Sequence, residues 1–131
     1  MPSKHGKKRV LVAHNDDKDF LNVTRSLLEF AGFRADTVED GKEALEQIRK
    51  HTYDLLILDV IMPGIDGIKL FQMVRRSERY AEIPVLFVSG YSSEEGLEAG
   101  QREIVDKADG YIQKPFKTRT FLDTVRRLLE K

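Results

Sequence analysis

Asp54-Leu55-Leu56-Ile57-Leu58-Asp59-Val60-Ile61-Met62-Pro63-Gly64-Ile65-Asp66-Gly67 joins an unbroken apolar run to an acid, a Pro-Gly turn and a second acid before glycine. A short run that is apolar at every position reads as a strand covered on both faces, which belongs in the middle of a parallel sheet. Pro63-Gly64 ends it, and Asp66 can cap a following helix that buries Leu70, Phe71 and Val74. Asp59 closes the most apolar strand of the chain, where a carboxylate is costly to bury without a cation or a positive partner.

On either side, short apolar runs alternate with segments of helical period, the pattern of βαβ units. Strands are predicted at Arg9 to His14, Arg34 to Val38, Asp54 to Asp59, Pro84 to Ser89 and Gly110 to Gln113. The first helix carries Phe20, Val23, Leu27, Leu28 and Ala31 as one stripe, and Gly32 follows where a left-handed cap would end it. The second opens on Asp40-Gly41-Lys42-Glu43, a capping box, and buries Ala44, Leu45 and Ile48. The fourth, from about Ser93 to Asp106, is weakened by Gly96 and Gly100, each costing about 1 kcal/mol in a helix interior. The fifth runs from Thr118 to about Glu130 with Phe121, Val125, Leu128 and Leu129 inward. Right-handed crossovers then place helices on both faces of the sheet, giving a doubly wound α/β domain whose chemistry sits beyond the carboxyl ends of the strands.

Composition narrows the function classes. At 131 residues one domain is expected, with residues 1–7 as a basic tail and residues 8–131 as the folded unit. The 22 basic and 22 acidic side chains cancel, so no overall positive field gathers nucleic acid or anionic lipid, and direct binding to either is not expected. No apolar run approaches the roughly 20 residues of a membrane span, and Lys4-His5-Gly6-Lys7-Lys8-Arg9 lacks the apolar centre of a signal peptide. With no cysteine, disulfides and thiolate metal sites are excluded, and a reducing cytoplasm is the expected compartment.

The predicted strand exits offer Asn15-Asp16-Asp17, Asp59, Ser89 and Lys114-Pro115. Taken singly, Asp16, Asp17 and Asp19 read as turn formers or helix caps. Converging in space, the carboxylates, hydroxyl and ammonium are the inventory for binding a hard cation together with a phosphoryl group. The stretch from Asp59 to Gly67 strongly resembles the phosphoacceptor motif of response regulator receiver (CheY-like) domains of two-component signal transduction, with the same Asp, Met-Pro and Asp-Gly spacing. An acidic cluster after the first strand, Pro84-Val85-Leu86-Phe87-Val88-Ser89-Gly90, and Lys114-Pro115-Phe116 complete the family's marks in order, from about Lys8 to Glu130.

The resemblance implies a flavodoxin-like, CheY-like three-layer sandwich with five parallel strands in the order 2-1-3-4-5. It also implies a phosphoacceptor signalling domain that catalyses only its own phosphorylation and dephosphorylation. Asp59 would be the nucleophile, and Asp16, Asp59 and the backbone carbonyl of Ile61 would hold Mg²⁺ or Mn²⁺, with Asn15 reaching it through water. Lys114 and Ser89 would bind phosphoryl oxygens, the Lys114-Pro115 bond would be cis, and Ser89 and Tyr111 would act as the switch. The implied partners are a sensor histidine kinase or histidine phosphotransfer protein and a downstream protein, with the domain a monomer or a phosphorylation-dependent homodimer. Independent chemistry agrees, since phosphoryl transfer to a carboxylate is a matter of positioning and of neutralising equatorial oxygens. Packing Asp16, Asp17 and Asp59 together without a cation would raise at least one carboxylate pKa.

Two features depart from the family. Counting back from the first helix puts Asn15 and Asp16 where two adjacent acids are usual, which removes one charge and weakens Mg²⁺ binding; counting one residue earlier puts His14 and Asn15 there, at the cost of a gap in the helix. The stretch between Ser89 and Lys114 is about three residues longer than usual, in the region used for partner recognition. A degenerate receiver acting as a phosphorylation-independent interaction module is therefore the rival reading. A haloacid-dehalogenase-like phosphatase needs a second Asp where Ile61 stands, and a flavodoxin-like cofactor binder needs a phosphate loop where Asn15-Asp16-Asp17 stand. His5, His14 and His51 have no metal-ligand spacing and read as structural or exposed.

Overall fold

The computed structural model describes residues 7–14, 18–60, 62, 65–89, 99–114 and 116–130, with the backbone alone described for Lys18, Ser89 and Ala99. In chain order the elements are β1 (Arg9–Ala13), α1 (Lys18–Phe30), β2 (Arg34–Val38), α2 (Gly41–Lys50), β3 (Leu55–Asp59), α3 (Gly67–Arg76), β4 (Val85–Ser89), α4 (Ala99–Asp106), β5 (Gly110–Gln113) and α5 (Thr118–Leu129). The strands pair in parallel in the order β2-β1-β3-β4-β5, so β3 is central and every one of its residues is buried, as its apolar run requires.

Alternation along the strands divides the core. Val10, Val12, Leu55, Ile57, Leu86, Val88 and Ile112 meet Leu21 and Leu28 of α1 and Phe121 and Val125 of α5. Leu11, Ala13, Leu56, Leu58, Val85 and Phe87 meet Ala44 and Ile48 of α2, Leu70, Phe71 and Val74 of α3, and Val105 of α4. Each fully buried Leu, Ile or Phe in these layers contributes roughly 1.5–3 kcal/mol. The register, Ala13 opposite Leu58 and Asp59 opposite Val88, also fixes which strand-end side chains share a face.

The helix ends follow the predicted signals. Gly32 has φ of 99°, the left-handed geometry of a helix stop. Asp40 accepts a 2.8 Å hydrogen bond from the Glu43 N–H, while the Glu43 carboxylate reaches the Glu39 N–H. Asp66 likewise accepts from the Lys69 N–H at 2.8 Å. The buried stripe of α1 differs from expectation: Val23 is 58% exposed, whereas Leu21, Thr24 and Leu28 are buried with Phe20, Leu27 and Ala31 beside them. At 100° per residue Val23 lies about 100° from Thr24, the middle of that arc, and turns outward with Phe30. In α4 the described helix begins at Ala99, and the predicted portion from Ser93 to Glu98, with Gly96, lies outside the described residues. Among the described residues nothing lies within 4 Å of where a Gly100 side chain would sit.

At the amino end of the sheet, Arg9 Nε binds Asp36 Oδ2 at 2.9 Å and the Tyr53 hydroxyl donates to the same oxygen at 2.7 Å. Burial, and then the hydrogen bond to Asp36, push the Tyr53 hydroxyl well above its ordinary value. A raised folded-state pKa makes this group's contribution to stability complete below about pH 10 and lost as the pH rises further. The urea midpoint of the wild-type protein is therefore expected to fall more steeply between about pH 9 and 11 than that of Tyr53→Phe. Parallel slopes would show that Tyr53 does not carry the alkaline loss.

Candidate functional site

Strand parity assembles the site. Asp59 continues the Leu55, Ile57 side of β3, and Lys114 continues the Ile112 side of β5, so both stand on the face covered by α1 and α5. On β1 that side is Val10 and Val12, and the next residue in the alternation is His14. The β1 ladder reaches it, because the His14 N–H donates to the Val38 carbonyl at 3.1 Å. Side chains at positions 14, 59 and 114 thus meet at the carboxyl end of the sheet.

Asp59 is 7% exposed and His14 is 1% exposed. Lys114 Nζ lies 2.8 Å from His14 Nε2, and Asp59 Oδ2 lies 3.7 Å from the same nitrogen. A lysine ammonium has only protons to give, so His14 Nε2 is the acceptor, and the 3.7 Å approach to Asp59 is proximity beyond hydrogen-bonding range. The imidazole is held from behind by Phe20 of α1, whose ring centroid is 4.1 Å away, and Lys114 Nζ sits 5.1 Å from the same ring. Phe116 meets Phe20 edge-on at 6.1 Å and stacks on Phe121 of α5 at 5.2 Å, tying the site to the core.

The sequence reading gave His14 no site role and set aside the count that puts it in place of the first acid, whereas the structure stands its side chain against Asp59. The signal was the period of two through Val10 and Val12, hidden because the acids that follow drew attention to positions beyond the strand. Asn15, Asp16, Asp17, Ile61 and Pro115, with the cis bond expected before it, lie outside the described residues. Ser89 ends β4 opposite Gln113, and its side chain is also outside them. Tyr111 stands opposite Phe87 and packs into the layer under α3 and α4, on the other face of the sheet from Asp59 and Lys114. Of the other histidines, His5 is outside the described residues, and His51 follows α2, its N–H donating to the Gln47 carbonyl.

Among the described residues no group of three or more His, Asp or Glu side chains is arranged to hold a metal, and no helix is long and apolar enough to cross a membrane. Asp59 offers a carboxylate oxygen of the kind that Mg²⁺ and Mn²⁺ take, at a buried strand end where positive charge is needed, so the donor chemistry fits a divalent cation.

Comparison with known proteins converges on one family. Residues 10–126 match the family model described as response regulator receiver domain. The transcriptional activator protein IrlR of Burkholderia pseudomallei is 36% identical over 127 residues, covering 94% of this chain and 51% of that protein. The chain spans about half the length of the curated relatives it matches. Among solved structures, chemotaxis protein CheY4 of Vibrio cholerae superposes with a TM-score of 0.81 at 30% identity, covering 94% of this chain and 99% of that one. The receiver domain of the sensor histidine kinase PA1611 of Pseudomonas aeruginosa, solved with magnesium in its active-site cleft, shares the fold with a TM-score of 0.78 at 23% identity, covering 96% of this chain and 99% of that one. With its five parallel strands in the order 2-1-3-4-5 and an acid at the end of the central one, this chain belongs to the response regulator receiver domain family of two-component signalling.

Proposed function

We propose that Asp59 accepts a phosphoryl group from a sensor histidine kinase or a histidine phosphotransfer protein in a reaction that needs Mg²⁺ or Mn²⁺. The observation that carries this reading is the carboxylate of Asp59, nearly buried at the end of a wholly apolar strand, with the ammonium of Lys114 on the same small cluster. Asp59 attacks phosphorus in line with the leaving imidazole of the donor, forming the acyl phosphate as the donor's P–N bond breaks. Lys114 reaches the developing equatorial charge by turning from His14, and Ser89 donates its hydroxyl to a second oxygen. Asp59 and Asp16 would hold the cation with the Ile61 carbonyl, and Asn15 would hold one of its waters. When bound, the cation supplies the positive charge that lets an anionic donor approach a carboxylate.

The product adds about two negative charges at one strand end. Ser89 and Tyr111, on neighbouring strands, carry that change to the surface of α4 and β5, where a downstream protein reads it. Residues 8–131 form the receiver and residues 1–7 a basic tail, acting in a reducing cytoplasm as a monomer or a phosphorylation-dependent homodimer. The name of IrlR, a transcriptional activator, makes regulation of transcription one outlet for that change, exerted without direct nucleic-acid binding by this electroneutral domain.

Incubation with Mg²⁺ and a small phosphoramidate or acyl phosphate donor tests this. The expected result is a mass gain of one phosphoryl group, labile in base and located by peptide mapping to the segment containing Asp59. Absence of any adduct at every Mg²⁺ concentration supports instead an interaction module that keeps the fold without the chemistry, a reading favoured by the imidazole at Asp59's flank.

A further inference from the structure

We infer that His14 is a nitrogen ligand of the cation site, and that this receiver therefore prefers borderline transition-metal dications such as Mn²⁺, Co²⁺ or Ni²⁺ to Mg²⁺. The inference rests on the phosphoacceptor reading only in taking Asp59 as a donor to the same cation.

Three observations carry it. First, the imidazole is built in: it is 1% exposed, anchored through the His14 N–H to Val38, and backed by the Phe20 ring. Second, its Nε2 lone pair already holds a cation, because the Lys114 ammonium sits 2.8 Å from it. Third, the carboxylate oxygen of Asp59 is 3.7 Å from that nitrogen. Two donors about 2.1 Å from one ion lie about 3.0 Å apart at a right angle and about 3.4 Å apart at the tetrahedral angle. The pair therefore closes on a shared ion by a shift of less than about 1 Å, with oxygen donors and waters completing the shell.

Ligand type then sets the preference. Mg²⁺ takes oxygen donors and gains little from an imidazole, whereas affinity for mixed nitrogen and oxygen sites rises from Mn²⁺ through Co²⁺ to Ni²⁺. The same geometry makes one lone pair the object of two claimants. A dication that takes Nε2 displaces Lys114 from His14, freeing the ammonium for a phosphoryl oxygen. Cation binding and the readiness of Lys114 are coupled through a single nitrogen atom.

Calorimetric titration of the full chain with Mg²⁺, Mn²⁺ and Co²⁺ is expected to give at least about 10-fold tighter binding of Co²⁺ than of Mg²⁺. Pulsed electron paramagnetic resonance of the Mn²⁺ form should show one imidazole ¹⁴N coupling. In His14→Asp the coupling should vanish and the Co²⁺ over Mg²⁺ ratio should fall by about 10-fold, as an oxygen replaces the nitrogen. A wild-type Mn²⁺ form without ¹⁴N coupling, or a coupling and ratio unchanged in His14→Asp, overturns the proposal. Should His14→Asp not fold, the wild type decides alone: Zn²⁺ should shift the His14 Nε2 resonance in a long-range ¹H–¹⁵N spectrum and Mg²⁺ should not, and an unmoved resonance under Zn²⁺ overturns it. The phosphodonor assay run in parallel separates the two readings, since an adduct without nitrogen coupling rejects the His14 ligand and retains the phosphoacceptor.

Discussion

Asp59→Asn is expected to abolish the phosphoryl adduct completely while the domain stays folded. An amide nitrogen or oxygen has no anionic lone pair with which to displace a phosphoryl group, so the positioning proposed for Lys114 and Ser89 has nothing left to act on. The shape at the end of β3 is preserved, and the amide oxygen still accepts hydrogen bonds, so the urea midpoint should move by no more than about 1 kcal/mol in stability. Intact mass after exposure to phosphodonor and Mg²⁺ reads the first effect and a urea titration the second. An adduct surviving in Asp59→Asn with wild-type yield would move the acceptor to another residue and end the assignment to Asp59.

Gly67→Ala is expected to damage both stability and phosphoryl acceptance, although a methyl group at a helix start is ordinarily harmless. A Cβ at position 67 would lie 1.8 Å from the backbone carbonyl oxygen of Asp59 and 3.2 Å from the Val60 Cα. The obstacle is main chain of Asp59, the proposed phosphoacceptor, so no rotamer change relieves it. The first turn of α3 must withdraw, straining the Gly67 N–H to Val60 carbonyl bond of 3.0 Å, or the end of β3 must tilt. Overpacking of this kind costs about 3 kcal/mol, and a misplacement of about 1 Å at a reacting group slows a step by about 100-fold. Urea denaturation and the initial rate of adduct formation measure the two consequences. Wild-type values for both would mean that α3 and β3 move apart freely at this point.

The clash at Gly67 adds a steric reason to an Asp-Gly pair that the sequence offers as a helix cap and as part of the family motif. Asp66 caps α3, and the residue after it must lack a side chain for α3 to start against Asp59. Similar local logic made most of the fold readable. The all-apolar run of β3 demanded cover on both faces, Gly32 marked the end of α1, and the stripe Phe121, Val125, Leu128 and Leu129 oriented α5. Each is a property of a segment a few residues long, where periodicity and capping chemistry act. Val23 shows the limit: it lies at the edge of an amphipathic arc, and only the packed neighbours of α1 decide where that arc ends.

By itself the sequence determined the strand order, the position of Asp59 at the carboxyl end of the central strand, and the lysine that follows β5. The two positions follow from hydrophobic pattern and crossover handedness and the strand order from the family resemblance, all of which survive without coordinates. Only the tertiary structure decided that His14 stands against Asp59 and takes the ammonium of Lys114. That placement depends on the register between β1 and β3 and on the ladder continuing one residue past Ala13, and register is set by contacts between segments more than forty residues apart in the chain. The site's carboxylate was therefore visible in the one-dimensional pattern, whereas the imidazole beside it emerged only when three strands were laid side by side.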